Sequence, residues 1–217
     1  GVPVMHQTSL FKTNWKHALN YGGLLRKKKL GRTQRPLSSR DPLHLVLKAH
    51  SDTLRTGTLR SPYGRAIIER LIKKYAQRFH IKIEQYSIQG NHIHFLIRAP
   101  RRFRYQYFFR VLTGQIAQQF QKAGLLKAMT GTPRNPKSST KCQTGASHKA
   151  TTDSRNCESS TGLWVYRPYT RVVKGYKAYK IIRDYVQLNE QEARKIIRYN
   201  KHRLKGLSLG DWQLLWA

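Results

Sequence analysis

The sequence predicts an α+β fold with one antiparallel sheet and helices on one face of it. Three observations support this prediction. A short segment that alternates apolar and polar residues begins near Leu43, two more such segments flank a turn at residues 89–91, and three segments of helical length carry apolar stripes. The chain has 217 residues and 39% hydrophobic residues, enough for one domain with a real core plus extensions.

The first strand is predicted at residues 43–49, directly after Pro42. Pro62 opens the first helix, because the apolar residues from Ile67 to Phe79 recur three and four positions apart. A strand followed by an amphipathic helix is the first half of a strand–helix–strand unit.

A hairpin follows, formed by alternating segments at 81–88 and 92–97 around the turn residues Gln89-Gly90-Asn91. The next helix is expected from about Arg102 to Lys122, with an aromatic-rich stripe. These elements complete the first unit and begin the second.

The last part of the chain predicts a strand region over 163–166 and 170–173 and a helix from about Lys177. We expect a basic helical continuation over 193–203 and a short apolar end at 212–216. The order strand, helix, strand, strand, helix, strand, helix is the ferredoxin-like, or RRM-like, arrangement. Its second sheet face is expected to be free, which suits a platform for nucleic acid.

Charge divides the chain into parts. Residues 1–40 read as a basic N-terminal arm, 41–203 as the folded domain, and 204–217 as a C-terminal tail. Residues 129–161 are rich in Ser, Thr and Lys and predict a mobile insertion. Cys142, His148 and Cys157 lie inside it, but no CxxC pair anchors them as a zinc site.

The net charge of +32 indicates a polyanionic partner and argues against an acidic small-molecule binder or a secreted disulfide scaffold. Neither a membrane-spanning apolar run nor a signal-peptide core is visible, so we expect an intracellular protein with no membrane partner. Basic residues expected to grip phosphates are Lys27, Lys28, Lys29, Arg98, Arg101, Arg102, Arg104, Arg194 and Arg198.

His92 and His94 are the most informative residues. Residues two apart on a strand point to the same face, so their imidazoles should converge and could hold a divalent metal ion. Tyr185 and Asn189 share one face of the last long helix, where a phenol could attack phosphorus and an amide oxygen could complete a metal shell. The alternative is that Tyr185 fills the core and Asn189 is a surface or capping residue.

Two segments resemble a known family. Ser87-Ile88-Gln89-Gly90-Asn91-His92-Ile93-His94-Phe95-Leu96-Ile97 is similar to the histidine-hydrophobic-histidine (HUH) strand of single-tyrosine transposases, and Asp184-Tyr185-Val186-Gln187-Leu188-Asn189 to their catalytic helix. The nearest group is the REP-associated tyrosine transposases. The chain departs from many relatives by having Glu190-Gln191-Glu192-Ala193 after the asparagine, and in the length of its insertion.

The resemblance implies an HUH endonuclease fold and metal-assisted cleavage of single-stranded DNA, with the substrate carrying a hairpin. His92, His94 and Asn189 would hold Mg²⁺ or Mn²⁺, and Tyr185 would form a 5′-phosphotyrosine. From the residues alone, two histidines favour Mn²⁺ or Zn²⁺. The resemblance also implies a bacterial, cytoplasmic, nucleoid-associated enzyme acting as a monomer or a homodimer. The alternative function is a non-catalytic basic nucleic-acid-binding protein with an RRM-like fold.

Overall fold

The computed structural model of the protein describes residues 19–23, 34–127 and 162–216. Most of the predicted basic arm, with Lys27, Lys28 and Lys29, lies outside the described residues, as does all of the predicted insertion. The strands are β1 (Asn20–Tyr21), β2 (Leu43–Lys48), β3 (Lys82–Ile88), β4 (His92–Arg98) and β5 (Tyr169–Val172). The helices are α1 (Pro62–Arg78), α2 (Arg102–Lys122), α3 (Tyr176–Ala193) and α4 (Leu209–Trp216), with short 3-10 turns at Ser51–Thr53 and Arg203–Gly206.

The five strands form one sheet in the order β1-β5-β2-β4-β3, and every pairing is antiparallel. Strands β2 to β5 follow the ferredoxin-like order, with β2 and β4 at the centre. The short strand β1 extends this sheet by pairing with β5. The α+β, ferredoxin-like prediction is confirmed.

The main core lies between the sheet and helices α1 and α2. Leu45 of β2 and Phe95 of β4 sit opposite each other in the register and are fully buried there. Helix α1 begins where the sequence predicts, because Pro62 follows Ser61, whose hydroxyl accepts a hydrogen bond from the Gly64 N–H. Each large apolar side chain fully buried in such a core contributes roughly 1.5–3 kcal/mol.

The second face of the sheet is covered in part, which corrects the expectation of helices on one face. Helix α3 lies across β3 and β4 on the side opposite α1 and α2, with Gln187 bonded to Gln85 and Tyr185 beside His94. An alternating strand has two chemically distinct faces, and β4 presents His92 and His94, together with Leu96, on the face that α3 covers in part. The helix that carries the expected nucleophile therefore packs on the expected site.

The strand region before α3 is shorter than predicted. Trp164 makes an isolated bridge with Ala49, its indole N–H donates to the Thr113 carbonyl, and the regular strand is Tyr169–Val172. Pro168 lacks an N–H for a sheet ladder, which accounts for the late start.

The predicted helical continuation over 193–203 is wrong. Helix α3 ends at Ala193, and Lys195 adopts a left-handed conformation with φ of 63° that turns the chain back. Ile197 then packs with Leu188 and Leu215 in a second small core, so burial of apolar side chains overrides the helical spacing. The apolar end is helix α4, which closes that core. Within the described ranges, no helix is long and apolar enough to cross a membrane.

Candidate active site

The two histidines of β4 converge on one face of the sheet, as their spacing predicts. Their neighbours Ile93 and Phe95 are fully buried in the core on the other face. The ring centroids of His92 and His94 are 4.7 Å apart, and the rings meet edge to face. The pair thus presents two imidazoles to a common volume.

His92 has a defined orientation. Its Nδ1 lies 2.7 Å from Asn91 Oδ1. Because an amide oxygen only accepts hydrogen bonds, Nδ1 carries the proton and Nε2 presents a lone pair. Burial lowers the pKa of His92, and the positive charges of Lys48 and Arg203 lower it further, so the ring is neutral at physiological pH.

His94 is nearly fully buried between a third histidine and helix α3. Its Nδ1 lies 3.1 Å from Nε2 of His44 on β2, and the two rings stack within 6° of parallel. Its Nε2 is buried and has no hydrogen-bond partner among the described residues. Burial, followed by the charges of His44, His92 and Arg203, holds the pKa of His94 well below its usual range. A neutral ring with an unused nitrogen is the form of histidine that binds metals.

Helix α3 brings Tyr185 to this pair. The ring centroids of Tyr185 and His94 are 5.6 Å apart, and the rings are nearly perpendicular. Asn189 lies one turn further along and is buried, and its Nδ2 donates to the Tyr185 carbonyl oxygen at 2.8 Å. The structure therefore brings His92, His94, Tyr185 and Asn189 together in one place.

Polar contacts hold α3 on the sheet. The side-chain amide of Gln89 donates to the Asn189 carbonyl oxygen, and the amides of Gln85 and Gln187 bond to each other. The carboxylate of Glu190 accepts from the Ile88 N–H at 3.3 Å. These bonds fix where along the sheet the phenol of α3 lies.

Glu190 is also the centre of a charge network. Its carboxylate pairs with Arg60, Arg65 and Arg194. Burial alone would raise the pKa of Glu190, but hydrogen bonds from Arg194 and Arg60 and the charges of Arg60 and Arg65 lower it overall. The segment in which this chain departs from many single-tyrosine transposases thus anchors the helix.

Arg203 occupies the remaining side of the site. One of its amino groups donates to Asn189 Oδ1 at 2.6 Å, and the other contacts both carboxylate oxygens of Glu192 at 2.9 and 2.7 Å. Its guanidinium carbon lies 5.3 Å from the centroid of the Tyr185 ring. A cation therefore already sits against the amide oxygen that the sequence predicted as a metal ligand.

The donor set fits a divalent ion in part. Nε2 of His92 and the orphaned Nε2 of His94 are suitable nitrogen donors. Asn189 Oδ1 accepts a hydrogen bond from Arg203 and has a second lone pair. It could bind an ion either through that second lone pair or after giving up the bond from Arg203. In the part of the chain that the structure describes, no three His, Cys, Asp or Glu side chains form a metal-binding group, so the candidate set is two histidines and one amide.

A cavity of about 440 Å³ opens beside Tyr185. His44, Tyr185 and Arg203 line it, with Ile181 and Ile182 of α3 on one wall. A larger groove of about 840 Å³ lies between α1, β3 and α3, away from the histidines. The smaller cavity gives Tyr185 an open approach.

The basic residues predicted to grip phosphates do not gather at this site. Arg98 ends β4, six residues along the strand from His92, and pairs with Glu84. The others are arginines near the start of α2 and in or after the end of α3, all exposed except Arg104, which is partly buried and donates to the Phe79 carbonyl: Arg101, Arg102, Arg104, Arg194 and Arg198.

Two residues of the site were missed at the sequence level. His44 alternates with Leu43 and Leu45 on a predicted strand, so its placement on the face opposite the core could have been recognised. Arg203 was seen only as one member of a basic cluster. Its position depends on the reversal of the chain at Lys195, which the spacing of the residues did not reveal.

Residues 43–131 match the family model described as "Transposase IS200 like", about two-fifths of the chain. The match includes β2 and the whole hairpin with both histidines, and it ends before α3. No curated protein matches the chain. The match to a transposase family over these residues confirms the expected resemblance to the single-tyrosine transposases, and it supports a transposase enzyme.

Two solved structures are similar to the chain. One is a REP-associated tyrosine transposase bound to a REP hairpin, with 13% identity, a TM-score of 0.47, and 74% of this chain and 72% of that chain covered. The other is a candidate transposase from Deinococcus radiodurans, with 13% identity, a TM-score of 0.38, and 75% and 98% covered. At this identity and these TM-scores, neither likeness carries a functional argument, so the resemblance rests on the family match over residues 43–131.

Proposed function

We propose that the protein is a metal-dependent endonuclease and strand transferase that acts on single-stranded DNA through Tyr185. The observation that carries the proposal is the position of the Tyr185 ring, 5.6 Å from a buried imidazole with an unused nitrogen. The family match supports the reaction class. The resemblance of its two motifs supports a substrate in which single-stranded DNA adjoins a hairpin.

The reaction exchanges one ester of phosphoric acid for another. The Tyr185 oxygen forms a bond to phosphorus as the bond to the 3′ oxygen breaks, leaving a 5′-phosphotyrosine and a 3′-hydroxyl that takes up a proton. A later 3′-hydroxyl attacks the phosphotyrosine, restores the phenol and joins the strands. No external energy source is needed, since the number of phosphoester bonds is unchanged.

His92 and His94 would hold the ion through Nε2, with Asn189 Oδ1 as the oxygen donor. Transposases of this family generally depend on a divalent metal. When bound, the ion supplies Lewis-acid polarisation of the scissile phosphate. We propose Mg²⁺ or Mn²⁺, and the two nitrogen donors favour Mn²⁺ of the two.

Arg203 contributes charge next to the phenol. Its guanidinium lies over the Tyr185 ring and at one wall of the 440 Å³ cavity, where an anionic phosphate would approach. The described members of the predicted phosphate-gripping set lie outside this site, and we propose that the set holds the DNA on either side of the cleaved bond. We propose that the protein acts as a monomer or a homodimer. An enzyme of this kind acts where the chromosome is, so we place it at the nucleoid in the bacterial cytoplasm.

The alternative function, a non-catalytic RRM-like binder, has weaker support. Such a protein stacks bases on aromatic residues of its central strands. Here the corresponding face of β2 and β4 carries His44, Val46, His92, His94 and Leu96, none of them a Tyr, Phe or Trp. This face is suited to metal and phosphate chemistry rather than to base stacking.

The proposal is tested by incubating the full chain with end-labelled single-stranded oligonucleotides that carry a hairpin, with Mn²⁺, Mg²⁺ or EDTA. We expect a covalent protein–DNA adduct that needs the ion and is absent in Y185F. In H92A the adduct should fall by at least about tenfold, because one donor to the ion is lost. The adduct is read as a shifted band on a denaturing gel.

Y176F is the matched control, because Tyr176 is on the same helix but largely exposed. It should form the adduct at the wild-type rate. An adduct that persists in Y185F would assign the nucleophile elsewhere. Binding of the oligonucleotide without any adduct in the wild type would favour the non-catalytic alternative or a relative that has lost cleavage.

A further inference from the structure

We propose that His44 is a positioning residue that fixes which nitrogen of His94 carries the proton, so that Nε2 of His94 is kept as a metal donor. The inference deepens the proposed function and rests on it for the identity of the ligand. Three facts about the described residues support it: the contact between His44 and His94, the orphaned nitrogen of His94, and the burial of both rings.

The contact between the two rings permits only two neutral arrangements. His44 Nε2 and His94 Nδ1 are 3.1 Å apart, so one nitrogen donates a proton and the other accepts it. If His94 donates through Nδ1, its Nε2 has a free lone pair. If His44 donates, His94 Nε2 carries a hydrogen that points into a buried volume with no acceptor.

A metal at His94 Nε2 selects the first arrangement. A neutral imidazole bound through Nε2 keeps its proton on Nδ1, and that N–H requires an acceptor when it is buried. His44 Nε2 is the acceptor at hydrogen-bond distance. His44 then acts on the ion through His94 and does not contact it.

The fold gives His44 a fixed position for this role. It lies on the central strand β2, one residue from two fully buried leucines, and only 7% of its surface is exposed. Its ring stacks parallel to His94 at 5.4 Å and meets the edge of Tyr169 at 6.4 Å. Such a packed ring has little freedom to turn away from its partner.

The test reads the tautomer directly. Protein labelled with ¹⁵N at histidine is studied without metal by long-range ¹H–¹⁵N NMR, and the His94 signals are assigned by their loss in H94N. We expect His94 with its proton on Nδ1 in the wild type and in H44Q, because the glutamine carbonyl oxygen offers an acceptor for that N–H. In H44L, which offers no acceptor, the preference for a proton on Nδ1 should be lost.

The second readout is the affinity for Mn²⁺ without DNA, measured by titration calorimetry. H44L should bind Mn²⁺ about 10–100-fold more weakly than the wild type, whereas H44Q should restore most of the affinity. H80N is the matched control, since His80 is exposed and its left-handed φ of 51° suits Asn. It should change neither measurement.

The outcomes separate the two proposals. A wild-type His94 with its proton on Nε2, or an H44L protein that keeps both the wild-type tautomer and the affinity, would overturn the role of His44. A wild type with the expected tautomer that does not bind Mn²⁺ would overturn the metal site of the proposed function and leave the tautomer assignment standing. An unfolded H44L is recognised by its poor NMR dispersion. In that case the Mn²⁺ affinities of H44Q and H94N are compared with that of the wild type. Affinity kept in H44Q and lost in H94N supports the role of His44, whereas affinity lost equally in both contradicts it.

Discussion

Glu190 shows how one residue can hold an active site without touching the reacting atoms. Its buried carboxylate joins the N-terminal end of α1, the end of β3 and the last turn of α3 through Arg60, the Ile88 N–H and Arg194. It directly follows Asn189 on the helix that carries Tyr185. The position of the phenol relative to the histidines therefore depends on this network.

We predict that E190Q lowers the free energy of unfolding by about 2–4 kcal/mol at neutral pH, because it leaves partly buried guanidiniums without their counter-charge. The pKa of Glu190 is lower in the folded protein than its ordinary value of 4.5, so its charge stabilises the fold above that pH. The difference between wild type and E190Q should shrink as the pH falls below about 4.5. Urea unfolding at several pH values measures it.

E69Q is the control for this experiment. Glu69 pairs with Arg65 four residues before it on α1, at a more exposed position. Such pairs contribute about 0.3–0.5 kcal/mol, so E69Q should be close to wild type. Equal losses in E69Q and E190Q would contradict the anchoring role of Glu190.

At the scale of elements, the two ends of the segment 128–161 are tied to the same short stretch of chain. The Lys127 N–H donates to the Thr53 carbonyl oxygen, and the His50 N–H donates to the Leu163 carbonyl oxygen, each at 2.9 Å. Isolated bridges join Leu54 to Leu126 and Ala49 to Trp164. The chain thus leaves and re-enters the described structure within a few residues of one place.

We predict that replacing residues 128–161 by a Gly/Ser linker of about eight residues preserves the fold. Such a linker spans up to about 26 Å. This exceeds the distance between residues 127 and 162, because the chain on both sides of the gap contacts residues 49–54. The midpoint of thermal unfolding should change by only a few degrees, and the Mn²⁺-dependent adduct should still form. Loss of cooperative unfolding would show that the replaced segment contributes to the core.

Elements were predictable from the sequence where the determining signal is local. The alternation of β4 placed His92 and His94 on one face, and the Gln89-Gly90-Asn91 turn gave the hairpin. The contacts that complete the site join distant residues. His44 and His94 are 50 positions apart, and Arg60 and Glu190 are 130 apart, so no local pattern signals them.

At the scale of the whole molecule, the few acidic residues serve the interior of the structure. Among the described acids, every one that forms an ion pair does so with an arginine: Glu69, Glu84, Asp184, Glu190 and Glu192. Several of these carboxylates are buried or nearly so. The surface of the described residues is therefore largely positive. Together with the net charge of +32, this favours a polyanionic partner.

We predict a steep salt dependence of binding to single-stranded DNA. If six to ten phosphates are neutralised, with a slope of about 0.7 per phosphate on single strands, affinity should fall by about 3 × 10² to 2 × 10⁴ between about 50 and 200 mM salt. R198Q should reduce the slope of log K against log salt by about 0.7 if Arg198 neutralises one phosphate, since this residue is exposed beyond α3. Fluorescence anisotropy measures both.

K74Q is the matched control, because Lys74 is exposed on α1, on the layer opposite the histidines. It should leave the slope unchanged. A slope near zero in the wild type would contradict a binding mode dominated by phosphate contacts.

The contacts of Arg203 divide the candidate site into two groups of residues, one on helix α3 and one on the strands. Its partners Asn189 and Glu192 are both on α3, so the guanidinium is fastened to the helix and not to the sheet. Any sliding or tilting of α3 would carry Tyr185 and this positive charge together, while the three imidazoles stayed with the strands. The separation between Tyr185 and the histidines could then change while the separation between Tyr185 and Arg203 did not.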